Sequence, residues 1–330
     1  MTTTVAVVGC GDVSVVHFGA IEAIPDSQLV AVCDADPSTA TAMSERHGVP
    51  AFSDHTDLLD SLTPDVVHIC TPHHQHTRPA VDCLSAGVNV ILEKPVAHTL
   101  AEAEEVVAAA ERNPQTKIGV CLQNRYNATS QAAHELIGSG RLGAVVGGSG
   151  TVLWRRTADY YRARPWRGRA AEGGGGVLIN QAIHTLDLLQ WLIGDVAQVR
   201  GGTGRYALEG VIEVEDTAQM ILDHVNGARS VFFATNANAV DAPVALEIIT
   251  EEATLFVRGD LTVSYHDGRV ETVAERRASS AGRSYWGVSH ELLIADFYSK
   301  LKDPEPFWIS PREASKSLQI LKAVYQDPAS

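Results

Sequence analysis

Long hydrophobic runs are missing from this sequence of 330 residues: no apolar stretch approaches the ~18 that would cross a bilayer. Cysteine is scarce. Its five copies, at 10, 33, 70, 83 and 121, are odd in number and contain no C-x-x-C pair. That excludes a disulfide framework and the usual zinc spacings, and Cys33, Cys70 and Cys121 lie in apolar runs where a thiol acts as a small hydrophobe. Positive charge is short as well, with 26 Lys and Arg against 40 Asp and Glu, a net −14. Neither nucleic acid nor an anionic membrane surface suits such a chain. No basic segment or apolar signal core precedes the first strand, so the expectation is a cytoplasmic, reduced protein.

What is present suits a large soluble core: 45% hydrophobic and 20% charged residues, over a length that favours two domains. Val5-Ala6-Val7-Val8 reads as a buried strand, followed at once by Gly9-Cys10-Gly11-Asp12-Val13-Ser14. This is a G-x-G-x-x-G dinucleotide fingerprint with Ser14 in the place of the third glycine. The first two glycines permit a tight turn and let backbone approach a pyrophosphate at a helix N-terminus. Residues 13–24 read as that helix. Residues 29–33 form the next strand, which ends in Asp34, the acid expected on the adenosine ribose hydroxyls. A carboxylate there repels a 2′-phosphate, which selects NAD over NADP.

Strands and helices then alternate. Asp36-Pro37 opens a helix that Gly48 closes, and residues 66–70 form a strand ending in Thr71-Pro72-His73-His74-Gln75-His76. Adjacent histidines on a short loop make a poor metal site, so no metal is expected. Thr71, Pro72, His73 and His76 are instead expected to line the cofactor crevice. Residues 88–92 are a β-branched strand ending in Glu93-Lys94-Pro95, where ligands of open α/β sheets bind. Pro95 forces an extended or turn conformation on Lys94 and is a candidate cis-proline. Thr99 and Glu102 form a capping box, and residues 117–122 a further strand. Residues 1–122 thus read as a doubly wound NAD-binding domain.

From residue 123 the pattern changes. A helix near 130–139 and a strand at 145–154 precede alternating apolar runs between 216 and 273. Turns at Asn226-Gly227, Gly259-Asp260 and Asp267-Gly268 join those runs into antiparallel hairpins. Helices near 177–193, 290–301 and 311–325 complete an α+β domain, 123–330, with a large, mostly antiparallel open sheet. On the helix behind Gly173-Gly174-Gly175-Gly176, Asn180, His184 and Asp187 fall at i, i+4 and i+7 on one face. Asp187 there is placed to orient the His184 imidazole for acid/base work. Six arginines between 155 and 169, with Trp154, Tyr160, Tyr161 and Trp166, read equally as an anion site or as a salt-bridged loop. Trp166 and Arg167 are the pair expected to face the cofactor. Gln123 is counted with the cofactor contacts and Arg125 with those to substrate.

Residues 5–14, 30–34, 69–76, 93–95, 166–168, 172–187 and 286–325 together resemble the Gfo/Idh/MocA family of sugar and inositol dehydrogenases. The resemblance implies an N-terminal Rossmann domain and a C-terminal open sheet through which members form homodimers or homotetramers. It also implies Lys94 and His184 beside the nicotinamide. Where many members have Asp four residues before that histidine, this chain has Asn180, which cannot carry charge and throws proton transfer onto His184 and Lys94. The implied reaction is NAD-dependent oxidation of a secondary hydroxyl of a sugar, cyclitol or sugar derivative, with Lys94, Asn180, His184, Arg125 and Asp187 toward substrate. Redox-neutral glycoside cleavage using NAD and a non-catalytic nucleotide-binding regulator are the alternatives on this fold.

Overall fold

The computed structural model describes residues 2–276 and 289–326, and the chain divides into two units: Met1–Leu122 with Ser279–Ser315, and Gln123–Ala278 with Lys316–Ser330. The first run of elements is β1 (Thr3–Val8), α1 (Ser14–Ala23), β2 (Ser27–Cys33), α2 (Pro37–His47) and β3 (Ala51–Phe52). It continues with α3 (His55–Ser61), β4 (Val66–Ile69), α4 (Thr77–Ser85), β5 (Asn89–Leu92), α5 (Leu100–Arg112) and β6 (Ile118–Val120). Next come α6 (Ala128–Gly138), β7 (Val145–Leu153), α7 (Ala158–Ala163), α8 (Ala170–Gly173) and α9 (Ile183–Ile193). Seven strands follow: β8 (Val196–Gly204), β9 (Thr217–His224), β10 (Arg229–Thr235), β11 (Ala245–Thr250), β12 (Ala253–Arg258), β13 (Asp260–Tyr265) and β14 (Val270–Val273). The last helices are α10 (Ser289–Ser299) and α11 (Pro311–Gln326).

In the first unit all six strands are parallel, in the order β3-β2-β1-β4-β5-β6. The order reverses between β1 and β4, which opens a crevice at their carboxyl ends. The apolar strand residues are buried because helices cover both faces; Val5, Ala6, Val7, Val90 and Ile91 have no exposed surface. Local signals behave as their chemistry dictates. Asp36 accepts from the Ser38 N–H at the start of α2, Gly48 ends it at φ +68°, and Thr99 caps α5.

The C-terminal segment departs from the expected boundary at 122, since the described part of Ser279–Ser315 belongs to this unit too. The physical reason lies at β6. The Val120 N–H donates to the Ile309 carbonyl at 3.0 Å, and a Cβ on Gly119 would stand 2.8 Å from the Phe307 ring. Lys117, buried, donates to the Asp303 carbonyl. The open edge of the sheet is thereby covered.

The second unit holds an eight-stranded sheet, β14-β13-β12-β11-β7-β10-β9-β8, antiparallel except where β7 meets β10. The glycine turns fall where expected, with Gly227, Gly259 and Gly268 all at positive φ. Alternation puts Met220, Leu222, Phe232, Ile248 and Leu255 on the buried face, and α9 lies against β7 and β11. Ile221, Val231, Phe233, Ile249 and Phe256 point outward and are 37–52% exposed. The helix expected over 177–193 begins differently, as a single π-helical stretch, Leu178–Ala182, before α9.

Candidate active site

At the end of β1, Gly9 has φ +89°, and a Cβ there would stand 2.7 Å from the Cys70 carbonyl carbon and the Thr71 nitrogen. Gly11 is the opposite case, with nothing within 4 Å of its Cβ position. The loop is pressed against the end of β4 on one side and open on the other, the shape a pyrophosphate needs. Ser14 explains its own substitution for glycine: it is 1% exposed, and its Oγ donates to the Gly11 carbonyl at 2.7 Å. Asp12 and Val13 sit half-buried at the head of α1. Asp34 accepts from the Cys10 N–H at 2.8 Å and the Asp36 N–H at 2.9 Å, so its carboxylate is fixed against the glycine loop.

The loop after β4 turns inward more than expected. Thr71 and Pro72 are half-buried, whereas His73 and His76 are buried and meet edge to face. His76 Nδ1 lies 2.7 Å from the Pro95 carbonyl and Nε2 2.9 Å from the Thr71 carbonyl, tying this loop to the Lys94-Pro95 turn. Burial pushes its imidazole below the ordinary range, against two carbonyl contacts that favour the charged form. The Lys94-Pro95 bond is cis, and Lys94 is half-buried at the carboxyl end of β5.

Glu93 points into the unit, 5% exposed. Its Oε1 lies 3.1 Å from both His17 Nε2 and His290 Nε2, and its Oε2 accepts from the Lys94 N–H at 3.2 Å. Beyond them, His17 Nδ1 lies 2.9 Å from His68 Nδ1, and His68 Nε2 lies 2.8 Å from the Tyr298 hydroxyl. Burial opposes the Glu93 charge, but the hydrogen bonds from His17 and His290 outweigh it and hold the carboxyl well below the usual range. Burial likewise pushes the His17 and His68 imidazoles down. His17, Glu93 and Cys121 offer donor atoms within 4.8 Å of one another. Both His17 nitrogens are already hydrogen-bonded, so the cluster reads as a network. Sequence reasoning missed His17, His68, His290 and Tyr298; a histidine on the otherwise apolar α1 was the one available signal.

In the second unit, Asn180 sits half-buried in the π-helical stretch and His184 half-buried in the first turn of α9. π-Helical turns recur at functional sites. This one changes the expected i, i+4 relation between the two side chains. The stretch is anchored by Glu215, which sequence reasoning also missed. Its Oε2 accepts from the Gly176 N–H at 2.8 Å, and its Oε1 from the Leu178 N–H at 3.1 Å and the Tyr325 hydroxyl at 2.8 Å. A Cβ on Gly176 would stand 1.8 Å from the Glu215 carbonyl oxygen, so the last glycine of the run is obligatory.

Arg125 and Asp187 meet each other. Arg125 Nε and Nη2 donate to the two Asp187 oxygens at 2.8 Å each, both residues are 1% exposed, and the guanidinium lies 5.3 Å over the Trp191 ring. Gln123 is buried beside them in sequence. In the arginine-rich segment, Arg156, Arg162 and Arg169 pair with Asp241, Asp159 and Glu172. Arg167 lies 4.6 Å over Tyr160 and 5.6 Å over its neighbour Trp166.

A 3-2-1-4-5-6 parallel sheet with a glycine cradle at its switch point defines the class of dinucleotide-binding folds, and the second sheet narrows it. Residues 3–120 match the oxidoreductase family with an NAD-binding Rossmann fold, and residues 130–256 match the GFO/IDH/MocA C-terminal domain. The chain belongs to the Gfo/Idh/MocA family and is an NAD-binding oxidoreductase. It is 30% identical to D-apiose dehydrogenase of Paraburkholderia graminis, over 98% of this chain and 88% of that one. It is 25% identical to levoglucosan dehydrogenase of Pseudarthrobacter phenanthrenivorans, over 82% and 77%. The WlbA dehydrogenase of Bordetella pertussis, solved with NADH and UDP-GlcNAcA, superposes with a TM-score of 0.86 at 29% identity, covering 100% of this chain and 97% of that one.

Proposed function

We propose that this protein oxidises a secondary hydroxyl of a sugar, cyclitol or sugar derivative, with Lys94 and His184 handling the proton. The observation that carries the reading is Lys94 at the carboxyl end of β5 in a sheet whose switch point holds the glycine cradle. NAD, when bound, supplies the hydride acceptor. One C–H and one O–H bond are lost and a C=O forms; two electrons leave with the hydride, and the proton goes to His184 or Lys94 as general base. The Lys94 ammonium stabilises the developing alkoxide, and Asn180 orients the hydroxyl. Trp166 and Arg167 remain the cofactor contacts offered by the arginine-rich segment. Relatives named for D-apiose and levoglucosan support a polyol substrate.

The test is NADH absorbance during incubation with NAD+ and a panel of D-apiose, levoglucosan, myo-inositol, alkyl glucosides and nucleotide-linked hexuronic acids. Turnover of one of these, lost in Lys94→Met, is the expected result. A protein that binds NAD+ yet reduces it with none of them contradicts the reading. The outward apolar face of the eight-stranded sheet supports a homodimer or homotetramer. Sedimentation giving only a monomer at micromolar concentration contradicts that.

A further inference from the structure

A buried carboxylate is costly unless its lone pairs are filled, and Glu93 is met by buried His17 and His290, with buried His68 and half-buried Tyr298 continuing the chain behind His17. The direction of the hydrogen bonds follows from neutrality. A carboxylate accepts only, so His17 Nε2 and His290 Nε2 both carry hydrogen. A neutral His17 then has Nδ1 as an acceptor, which requires hydrogen on His68 Nδ1. His68 Nε2 in turn accepts from the Tyr298 hydroxyl. The chain therefore runs one way, from Tyr298 through His68 and His17 into Glu93. One added proton on His17 reverses the two outer bonds. His290 Nδ1 has no hydrogen-bond partner among the described residues, so that ring donates once and the chain ends there.

We infer that Glu93 and its chain of His17, His68, Tyr298 and His290 are positioning residues for Lys94. This rests on the reading of Lys94 as a proton-handling group. The carboxylate, locked from inside by two imidazoles, accepts from the Lys94 backbone N–H and so fixes where that side chain leaves β5. It also sets a permanent negative charge one residue from the ammonium, which favours the protonated lysine. The other titratable groups of this cluster are His76, Cys70 and Cys121. Burial keeps the two thiols protonated, which leaves Glu93 as the charge that matters.

The experiment uses the full chain with NAD+ and the panel sugar that turns over, and adds two measurements that need no substrate. Lys94 is titrated by NMR of labelled lysine, assigned by subtraction of Lys94→Met. The histidine tautomers are read from nitrogen-15 spectra. Glu93→Gln and His17→Phe are expected to lower kcat by about tenfold or more with the Kd for NAD+ within about threefold, and to lower the Lys94 titration point. His17→Gln, whose amide N–H can replace Nε2–H, is expected to recover most of the rate. Wild-type spectra are expected to show hydrogen on Nε2 of His17 and on Nδ1 of His68 near neutral pH.

Folded Glu93→Gln and His17→Phe with wild-type kcat and an unmoved Lys94 titration, beside an inactive Lys94→Met, overturn the inference. An active Lys94→Met overturns the lysine reading instead. If Glu93→Gln does not fold, the tautomers decide: a His17 with hydrogen on Nδ1 at neutral pH overturns the chain.

Discussion

Asp34 binds its own loop before it can bind anything else. Its two oxygens accept from Cys10 and Asp36, which holds the carboxylate at the rim of the glycine turn. Asp34→Ser removes a hydroxyl acceptor, a 2′-phosphate repellent and a loop anchor together. The Kd for NAD+ should rise by about tenfold, the loss of about one charged hydrogen bond, while discrimination against NADP relaxes. Titration of both dinucleotides checks this, and a wild type that already prefers NADP contradicts it. For the proton, His184→Gln should cost ~10²–10⁴-fold in kcat, whereas Asn180→Ala should cost only the ~1–3 kcal/mol of a hydrogen bond. Side-by-side turnover numbers rank the two, and equal losses would place Asn180 in the proton path.

At the level of elements, the sequence was readable wherever the signal is local. The Asp36 and Thr99 caps and the glycine turns all depend on neighbours within a few residues, and each lies where expected. The π-helical stretch was not readable. It depends on Glu215, which reaches the Gly176 and Leu178 N–H groups from the loop before β9. The Arg125–Asp187 pair, 62 residues apart, was hidden for the same reason, because each residue alone looks like a polar group available to substrate. Removing one partner leaves a buried charge, so Arg125→Met should lower stability by ~3–5 kcal/mol. Chemical denaturation measures it; an unchanged midpoint with a raised KM would assign Arg125 to the substrate instead. Residues 286–288, the start of the terminal stretch that carries part of the family resemblance, lie outside the described residues.

Over the whole molecule, the buried histidine chain predicts how stability responds to acid. His17 and His68 have folded pKa values below their ordinary 6.5, so the unfolded chain takes up protons first as pH falls. Their contribution is complete above 6.5 and is lost as pH drops from there toward the folded values. Glu93, also depressed, adds a second loss below its ordinary 4.5. Thermal melts should therefore be level from pH 8 to about 7 and fall steadily below about 6.5. A His68→Phe, Tyr298→Phe double variant should flatten the upper part of that fall. A wild-type melting temperature that rises between pH 7 and 5 contradicts the assignment.

The return of the chain to cover β6 has a consequence for the order in which the protein is made. When residue 122 leaves the ribosome, the nascent Rossmann sheet has Glu93 without His290, His68 without Tyr298, and β6 without Ile309. Those partners emerge roughly 170 residues later, ~10–30 s at ordinary elongation rates. Until then the sheet carries an unquenched edge and interior polar groups open to water. The natural moment for the first unit to close is thus near the end of synthesis, and the second unit waits slightly longer, for the Tyr325 hydroxyl that reaches Glu215.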